Sequence, residues 1–154
     1  MKKIFILSVL FLLLITSITL ANTKAEGLDI FDKYQTYANN YDERLLELYS
    51  PDVKIIREVI KPDGEKVRVN IPAKRFFHEL KIGQKTAKLR KYKNKYKNIT
   101  AEKVPNGIKI SAVRQPTNES YWLNMYQILQ PTDSGYKITE EMMQTKVQVF
   151  LKTK

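Results

Sequence analysis

The sequence predicts an α+β domain in which a curved antiparallel sheet wraps around N-terminal helices. Three observations carry this prediction. Residues 28–52 have the apolar spacing of two helices, and a further helical stripe follows the first pair of strands. Four more strand-like segments complete the chain, separated by turn residues. The resulting order of helix, helix, hairpin, helix and four strands is typical of α+β folds.

The first helix is predicted over residues 28–41. At 3.6 residues per turn its apolar side chains fall on one side, and they are Leu28, Phe31, Tyr34, Ala38 and Tyr41. Asn39-Asn40 is the expected break, because asparagine tolerates the left-handed conformation at which helices end. This helix supplies the apolar face on which the sheet is expected to close.

Asp42 is interpreted as the N-cap of the second helix, since its carboxylate can accept free amide hydrogens of the next turn. The alternative is a buried acid poised for catalysis, but a cap is the commoner use of aspartate after a break. Pro51 is expected to end this helix, because it lacks an N–H and restricts the residue before it. One side of the helix is apolar, through Leu45, Leu46, Leu48 and Tyr49.

Residues 1–21 are interpreted as a signal peptide, residues 22–27 as a linker and residues 28–152 as a single domain. Two lysines precede a long apolar run, and Ala21 is the expected cleavage position, with Ala25 as the second choice. The alternative is an uncleaved membrane anchor, because residues 4–21 are just long enough to span a bilayer. The predicted location is therefore the bacterial periplasm or the exterior, with an inner-membrane-anchored domain outside the cytoplasm as the alternative.

Composition limits the possible partners and chemistry. The chain has 27 basic and 16 acidic residues, a net charge of +11, which favours an anionic envelope surface as partner. Export makes nucleic acid the least expected of the anionic partners. The absence of cysteine excludes disulfides, a lipoprotein cleavage site and thiolate chemistry.

The single histidine, His78, lies on the helix predicted to start at Pro72 and to stop at Gly83. By helical angle it falls away from the apolar stripe and beside Lys74, so it is predicted to be exposed. This position argues against a Ser-His-Asp mechanism and against a His-rich zinc site. The acidic residues show no metal-ligand spacing, and we predict neither a metal nor a cofactor.

The segment 81–97 is rich in cations and contains no acid. One interpretation is an anion-binding stripe, in which Tyr92 and Tyr96 stack on bases or lie at a lipid interface. The other, which we favour, is an exposed strand whose lysines face solvent and whose tyrosines face inward. The candidate stripe consists of Lys85, Lys88, Arg90, Lys91, Lys93, Lys95 and Lys97.

Turn residues divide the remaining chain into strands. Residues 53–60 and 66–71 are predicted to form a hairpin around Pro62-Asp63-Gly64. A second hairpin is predicted around Pro105-Asn106-Gly107, because Asn-Gly is a strong turn signal. Residues 121–130 are apolar on both faces, which predicts a central strand, and residues 136–150 are predicted to form the last strand.

Four segments carry a resemblance to a known family: LYSPDVKI, ITAEKVPNGIKISAVR, YWLNMYQIL and GYKITEEMMQTKV. Together they resemble the nuclear transport factor two-like superfamily, which includes SnoaL-type cyclases and has a cystatin-like fold. The resemblance implies a cone-shaped sheet wrapped around the first helix, with a pocket at its open end. It also implies a homodimer formed through the outer sheet face, here Trp122, Tyr126 and Ile128.

Enzymes of this superfamily place acids, a histidine or an arginine–carboxylate relay in the pocket. Arg114 and Glu140 are the polar residues in inward phases of their predicted strands. Arg114 is interpreted either as one half of a buried ion pair or as a two-point clamp for a ligand carboxylate. The candidate pocket residues are Tyr34, Asp42, Arg114, Tyr121, Met125, Glu140 and Met142.

The predicted function is a non-catalytic module for ligand binding or protein assembly, with a pocket for a small apolar ligand. One alternative is a SnoaL-type enzyme acting on a small hydrophobic substrate. The other is a membrane-tethered component of a secretion channel, which requires residues 1–21 to stay uncut.

Overall fold

The computed structural model describes residues 23–152, and the predicted order of elements is confirmed. The signal peptide predicted at residues 1–21 lies outside the described residues. Within the described part, no helix is both long and apolar enough to cross a membrane. The elements are helix α1 at residues 23–40, a 3₁₀ turn at Glu43–Leu48, strands β1 (Tyr49–Ile60) and β2 (Lys66–Ile71), helix α2 (Ala73–Leu89), strands β3 (Asn94–Val104), β4 (Gly107–Pro116), β5 (Leu123–Thr132) and β6 (Gly135–Thr145), and a final 3₁₀ turn at Gln148–Lys152.

The six strands form one open sheet in the order β2-β1-β6-β5-β4-β3. The prediction of a wholly antiparallel sheet is wrong, because β1 and β6 pair in parallel. The cause is α2, whose 17 residues span about 25 Å at 1.5 Å per residue and carry the chain back along the sheet. Strand β3 therefore starts in the same direction as β2, and three further reversals bring β6 parallel to β1.

Helix α1 is longer than predicted and rotated slightly. Residues 23–27, expected as a linker, are helical. Leu28 is 41% exposed, and Gly27 lies at the buried position instead. A Cβ added at Gly27 would approach Ile108 Cγ2 to 2.9 Å, so glycine permits the close contact between helix and sheet. The helix ends at Tyr41, whose φ of 58° is left-handed, just beyond the expected Asn39-Asn40 break.

The second helix is a single 3₁₀ turn rather than a helix reaching Ser50. Its predicted cap is confirmed, because the Asp42 carboxylate accepts a hydrogen bond from the Arg44 amide at 2.9 Å. Strand β1 starts at Tyr49, so Pro51 does not end a helix. Pro51 instead lies where the pairing of β1 with β6 is interrupted between Tyr49 and Lys54, and its missing N–H costs no ladder bond there.

Helix α2 starts after Pro72 as predicted but continues six residues beyond Gly83 to Leu89. Gly83 is exposed, and a Cβ added there would meet nothing within 4 Å, so this glycine weakens the helix without stopping it. Its continuation is held to the domain by Gln84, which donates a hydrogen bond to the Asp42 carbonyl at 3.0 Å. His78 is exposed, as predicted.

The extra turns of α2 change the interpretation of segment 81–97. Lys85 and Lys88 lie on the helix and not on a strand. Lys91 ends the helix with a left-handed φ of 50°, and β3 starts only at Asn94. Of the predicted strand lysines, Lys95 and Lys97 are on β3 and face solvent.

Both predicted hairpins are confirmed. The turn between β3 and β4 has Asn106 at φ 64°, and the turn between β1 and β2 has Gly64 at φ 88°. The last strand ends at Thr145 and not at residue 150, and a 3₁₀ turn follows it, whose Gln148 side chain donates to the Ile60 carbonyl at 2.9 Å.

Strand β6 contains a one-residue bulge that decides which side chains face the core. Ile128 pairs with Glu140 but Leu129 pairs with Ile138, so Thr139 is extra. One extra residue moves all the following side chains to the opposite face. Glu140 consequently faces outward, and Glu141 faces the helices.

Aromatic rings connect the helices to the inner face of the sheet. Phe31 of α1 is stacked on Tyr34 at 5.6 Å between ring centroids and meets the edge of Tyr96 on β3 at 5.5 Å. Tyr49 of β1 contacts Phe76 of α2 at 5.0 Å. Edge-to-face contacts of this kind add to the free energy gained from burial alone.

Candidate functional site

A cavity of about 300 Å³ lies between the two helices and the inner face of the sheet. Helix α2 contributes its inward face, α1 contributes Tyr34, and strands β1, β4 and β6 contribute polar side chains. The volume is at the lower end of the range for small-molecule sites. The lining includes Tyr34, Tyr41, Leu45, Tyr49, Arg57, Phe76, Glu79, Leu80, Tyr92, Asn94, Arg114, Glu141 and Met143.

Arg114 is a buried cation in this cavity without a carboxylate partner among residues 23–152. Its side chain extends inward from β4, and the residue is 8% exposed. Its Nη1 donates to Asn94 Oδ1 at 2.9 Å and to the Tyr92 hydroxyl at 3.4 Å, and its Nη2 donates to the Gln144 carbonyl at 3.1 Å. A guanidinium has five N–H donors, so the Nε donor and one Nη2 donor remain. Nε is buried and has no hydrogen-bond partner within the described chain.

Three further charged side chains, Arg57, Glu79 and Glu141, lie in the cavity wall, and Glu141 is fully enclosed. It is 0% exposed and receives hydrogen bonds from the Tyr49 hydroxyl at 2.6 Å, from Gln127 at 3.2 Å and from Arg57 Nη1 at 3.1 Å. The last of these is an ion pair that joins β1 to β6. Both Glu141 oxygens are therefore occupied by protein donors.

The two deepest tyrosines stay protonated over the physiological range. Burial raises the pKa of Tyr34 well above its ordinary value, and the nearby Tyr96 and Glu141 raise it further. Burial also raises the pKa of Tyr49, and the Glu141 carboxylate adds to this effect. These phenols therefore act as neutral hydrogen-bond donors in an aromatic wall.

The structure brings together two of the seven predicted pocket residues. Tyr34 and Arg114 both line the cavity. Asp42 is occupied by its capping role and by an ion pair with Arg44. Glu140, predicted to face inward like Arg114, is turned outward by the bulge, so Arg114 cannot pair with it.

The remaining predicted pocket residues also lie elsewhere. Met125 is 2% exposed within the hydrophobic core. Met142 lies beside Tyr126 in a shallow groove that the Arg114 cavity does not share. Tyr121 precedes β5, and the Lys146 Nζ is 4.1 Å from the centroid of its ring.

The outer sheet face carries a polar network around the predicted dimer residues. The Tyr126 hydroxyl donates to Glu140 at 2.6 Å, and Lys54 pairs with Glu140 at 3.0 Å. Partial burial and the bond to Glu140 raise the pKa of Tyr126 to about 12. Trp122 is 36% exposed, with Lys97 Nζ 3.9 Å from its ring centroid. The homodimer through Trp122, Tyr126 and Ile128 stays a prediction.

Sequence reasoning missed three residues that shape the cavity. Tyr49 was assigned to the second helix, although it is the first residue of β1. Glu141 was missed because a bulge is invisible in a strand's alternation. Gln127 lies in the inward phase of β5 between Met125 and Leu129, and this polar residue in an apolar row was the available signal. Within residues 23–152, no three His, Asp or Glu side chains lie close enough together to hold a metal ion.

Comparison with known proteins identifies the architecture. No protein-family profile matches the chain, and no curated protein is similar to it in sequence. An NTF2-like protein of unknown function from Pseudomonas putida superposes with a TM-score of 0.62 at 5% identity, covering 80% of this chain and 87% of that one. An NTF2-like protein with a cystatin-like fold from Novosphingobium aromaticivorans gives 0.61 at 11% identity, covering 85% and 86%.

A third similar structure is a candidate dehydratase from the NTF2-like family of Streptomyces avermitilis. It gives a TM-score of 0.64 at 6% identity and covers 83% of this chain and 99% of that one. At such identities the likeness concerns the fold and not the activity. The nuclear transport factor two-like, cystatin-like fold that the resemblance implies is confirmed.

Proposed function

We propose that this chain, which has the nuclear transport factor two-like, cystatin-like fold, is an exported, non-catalytic binding protein for a small organic acid. The observation that carries the proposal is Arg114, a cation that is 8% exposed in a cavity and has no described carboxylate partner. A carboxylate on the ligand would take the place of the missing acid.

The charge balance around Arg114 supports an anionic ligand. Burying an unpaired charge is costly, and Arg114 has only neutral acceptors in Asn94, Tyr92 and the Gln144 carbonyl. One Nη2 donor of Arg114 remains for a ligand carboxylate, and the donor on the adjacent Nε completes the edge that binds a carboxylate in two-point fashion. Nε is enclosed by the protein, so the ligand meets Nη2 first. The Tyr41 hydroxyl, also in the cavity wall and without a partner in the described chain, is a further donor.

The apolar residues of the cavity wall indicate what the uncharged part of the ligand is. Tyr34, Tyr49 and Phe76 present rings, and Leu45, Leu80 and Met143 present aliphatic surface. Such a wall favours an aromatic or branched apolar group, for which the cavity of about 300 Å³ has limited room. We infer a ligand with one carboxylate and one small apolar body.

Binding rather than turnover is supported by the state of the possible catalytic groups. Glu79, in the cavity wall, is held in an ion pair with Arg75 at 2.6 Å. Glu141 is 0% exposed and its two oxygens already accept three hydrogen bonds, so a ligand cannot reach it as a base. His78 is exposed on the other side of α2, away from the cavity. An enzyme of the SnoaL type is the second candidate, which the similarity to a candidate dehydratase favours.

Calorimetry with matched probes tests the proposal. Phenylacetate and phenylacetamide have the same ring and nearly the same shape, but only the former is an anion. We expect phenylacetate to bind at least tenfold more tightly, because a hydrogen bond to a charged group contributes about 1.5–3 kcal/mol. Arg114→Gln should remove this preference, whereas Arg90→Gln, a change of an exposed arginine, should leave it intact. Equal binding of acid and amide, or full binding by Arg114→Gln, would contradict the proposal.

Two further measurements separate the alternatives. Nuclear magnetic resonance of the bound probe over several hours should show no product, and conversion of the probe would favour the enzyme. Mass spectrometry of the protein secreted by a bacterial host should find Asn22 as the first residue. An intact Met1 would contradict export by cleavage and favour a tethered protein.

A further inference from the structure

Helix α2 exposes apolar side chains that the fold does not cover. Leu89 is 85% exposed and Ile82 is 57% exposed. The two are seven residues apart, which is close to two helical turns, so they lie on the same side of the helix. The opposite side of the same turns contributes Leu80 and Ala87 to the cavity wall. The apolar pair therefore points away from the domain.

A row of lysines runs beside this apolar pair. Lys81, Lys85 and Lys88 follow one another at intervals of four and three residues, which places them along one line of the helix. Lys85 is three residues from Ile82 and four from Leu89, so it lies between them on the surface. All three lysines are exposed.

These lysines are not neutralised by the described protein. None of them belongs to an ion pair within residues 23–152, whereas Arg75 and Glu79 in the first half of α2 pair with each other. The sequence contains no acid from residue 81 to residue 97. Arg90 and Lys91 extend the same positive potential past the end of the helix.

We propose that the surface formed by Lys81, Ile82, Lys85, Lys88 and Leu89, here called the α2 outer face, docks on an anionic lipid bilayer. The lysines bind phosphate groups of the lipids, while Ile82 and Leu89 enter the boundary between headgroups and acyl chains. Cations beside exposed aliphatic side chains on one helix face are the arrangement of interfacial helices. A soluble polyanion would use the lysines alone and would leave the exposure of Leu89 without a role.

The α2 outer face does not depend on the ligand proposed for the cavity. Its residues are on the outward side of α2, and none of them lines the cavity. Docking would place α2 between the bilayer and the cavity, with the sheet directed away from the lipid.

Co-sedimentation with lipid vesicles tests the docking. The protein is used in the form that a secreting host accumulates, with its N-terminus established by mass spectrometry, so that all variants share the same terminus. Vesicles contain phosphatidylglycerol and phosphatidylcholine, or phosphatidylcholine alone. We expect binding to the anionic vesicles that weakens at high salt, and at least tenfold weaker binding to neutral vesicles.

Two pairs of double variants locate the contact. Lys85→Glu with Lys88→Glu should lower the partition coefficient at least 25-fold, since each lysine near an anionic surface contributes about fivefold. The control variant, Lys95→Glu with Lys103→Glu, changes the net charge by the same amount but on β3. It should lower the partition coefficient less than about threefold. Circular dichroism establishes that each variant is folded.

The apolar variants distinguish lipid from other polyanions. Ile82→Ser with Leu89→Ser should weaken binding about tenfold, because the aliphatic groups no longer leave water on docking. The matched control is Val147→Ser with Val149→Ser, two exposed valines that follow β6, and this variant should bind as tightly as the wild-type protein. Unchanged binding by the Ile82 and Leu89 variant would overturn the proposal and indicate a soluble polyanion. Equal binding to both kinds of vesicle, or to neither, would also overturn it.

Discussion

Replacing Glu141 by glutamine removes the carboxylate that joins strands β1, β5 and β6 beneath the cavity. The side chain is 0% exposed, and its ion-pair partner Arg57 is 14% exposed at 3.1 Å. The variant leaves this arginine charge without its counter-ion and directs an amide group at donors from Tyr49 and Gln127. The loss should therefore exceed that of any surface ion pair of this protein.

The magnitude follows from the burial of the pair. Breaking a buried ion pair by removing one partner costs about 3–5 kcal/mol, and the partial exposure of Arg57 places the expected loss near the lower limit, about 3 kcal/mol. With a urea m-value of about 2 kcal/mol/M, the midpoint of unfolding should fall by about 1.5 M. Circular dichroism during urea titration measures this midpoint.

Two control variants make the result specific. Glu102 pairs with Lys109 at 3.4 Å but its side chain is 61% exposed, so Glu102→Gln should change the free energy of unfolding by less than about 0.5 kcal/mol. Glu140→Gln, on the outer face, should cost about 1 kcal/mol through its bonds to Tyr126 and Lys54. A larger loss for Glu140→Gln than for Glu141→Gln would refute the bulge and the assignment of faces that depends on it.

Two further predictions concern the core and the response to acid. Phe31→Ala should destabilise the protein by about 4 kcal/mol, because Phe31 is 1% exposed between Tyr34 and Tyr96; a loss below about 1.5 kcal/mol in urea unfolding would contradict this packing. In the folded protein the pKa of Glu58 is lowered, mainly by the hydrogen bond from Gln144. Burial raises this pKa, but the bond to Arg68 lowers it further. Glu58 thus stabilises the fold above the ordinary glutamate pKa of about 4.3, and this stabilisation is lost as the pH falls through the lower folded pKa. Between pH 6 and pH 3, the free energy of unfolding should fall less for Glu58→Gln than for the wild-type protein. Parallel curves of this free energy against pH would contradict the assignment of the acid sensitivity to Glu58.

Local signals in the sequence predicted much of the architecture. The Asp42 cap, the turns at Gly64 and Asn106, the alternation that turns Arg114 inward and the exposure of His78 all depend on neighbours within a few residues. Gly83 was a misleading signal, because a glycine weakens a helix by only about 1 kcal/mol and packing against the domain outweighs that cost.

The sequence by itself determined the composition, the order of helices and strands, and the inward position of Arg114. The last two follow from patterns among residues that are close together in the chain. Three features were decided only in the tertiary structure. They are the parallel pairing of β1 with β6, the inward position of Glu141 instead of Glu140, and the absence of any described carboxylate beside Arg114. Each depends on how strands pair with one another and not on the sequence of one strand alone. A single extra residue in β6 exchanges the two faces of that strand, and periodicity within one strand cannot reveal where its partner fails to match.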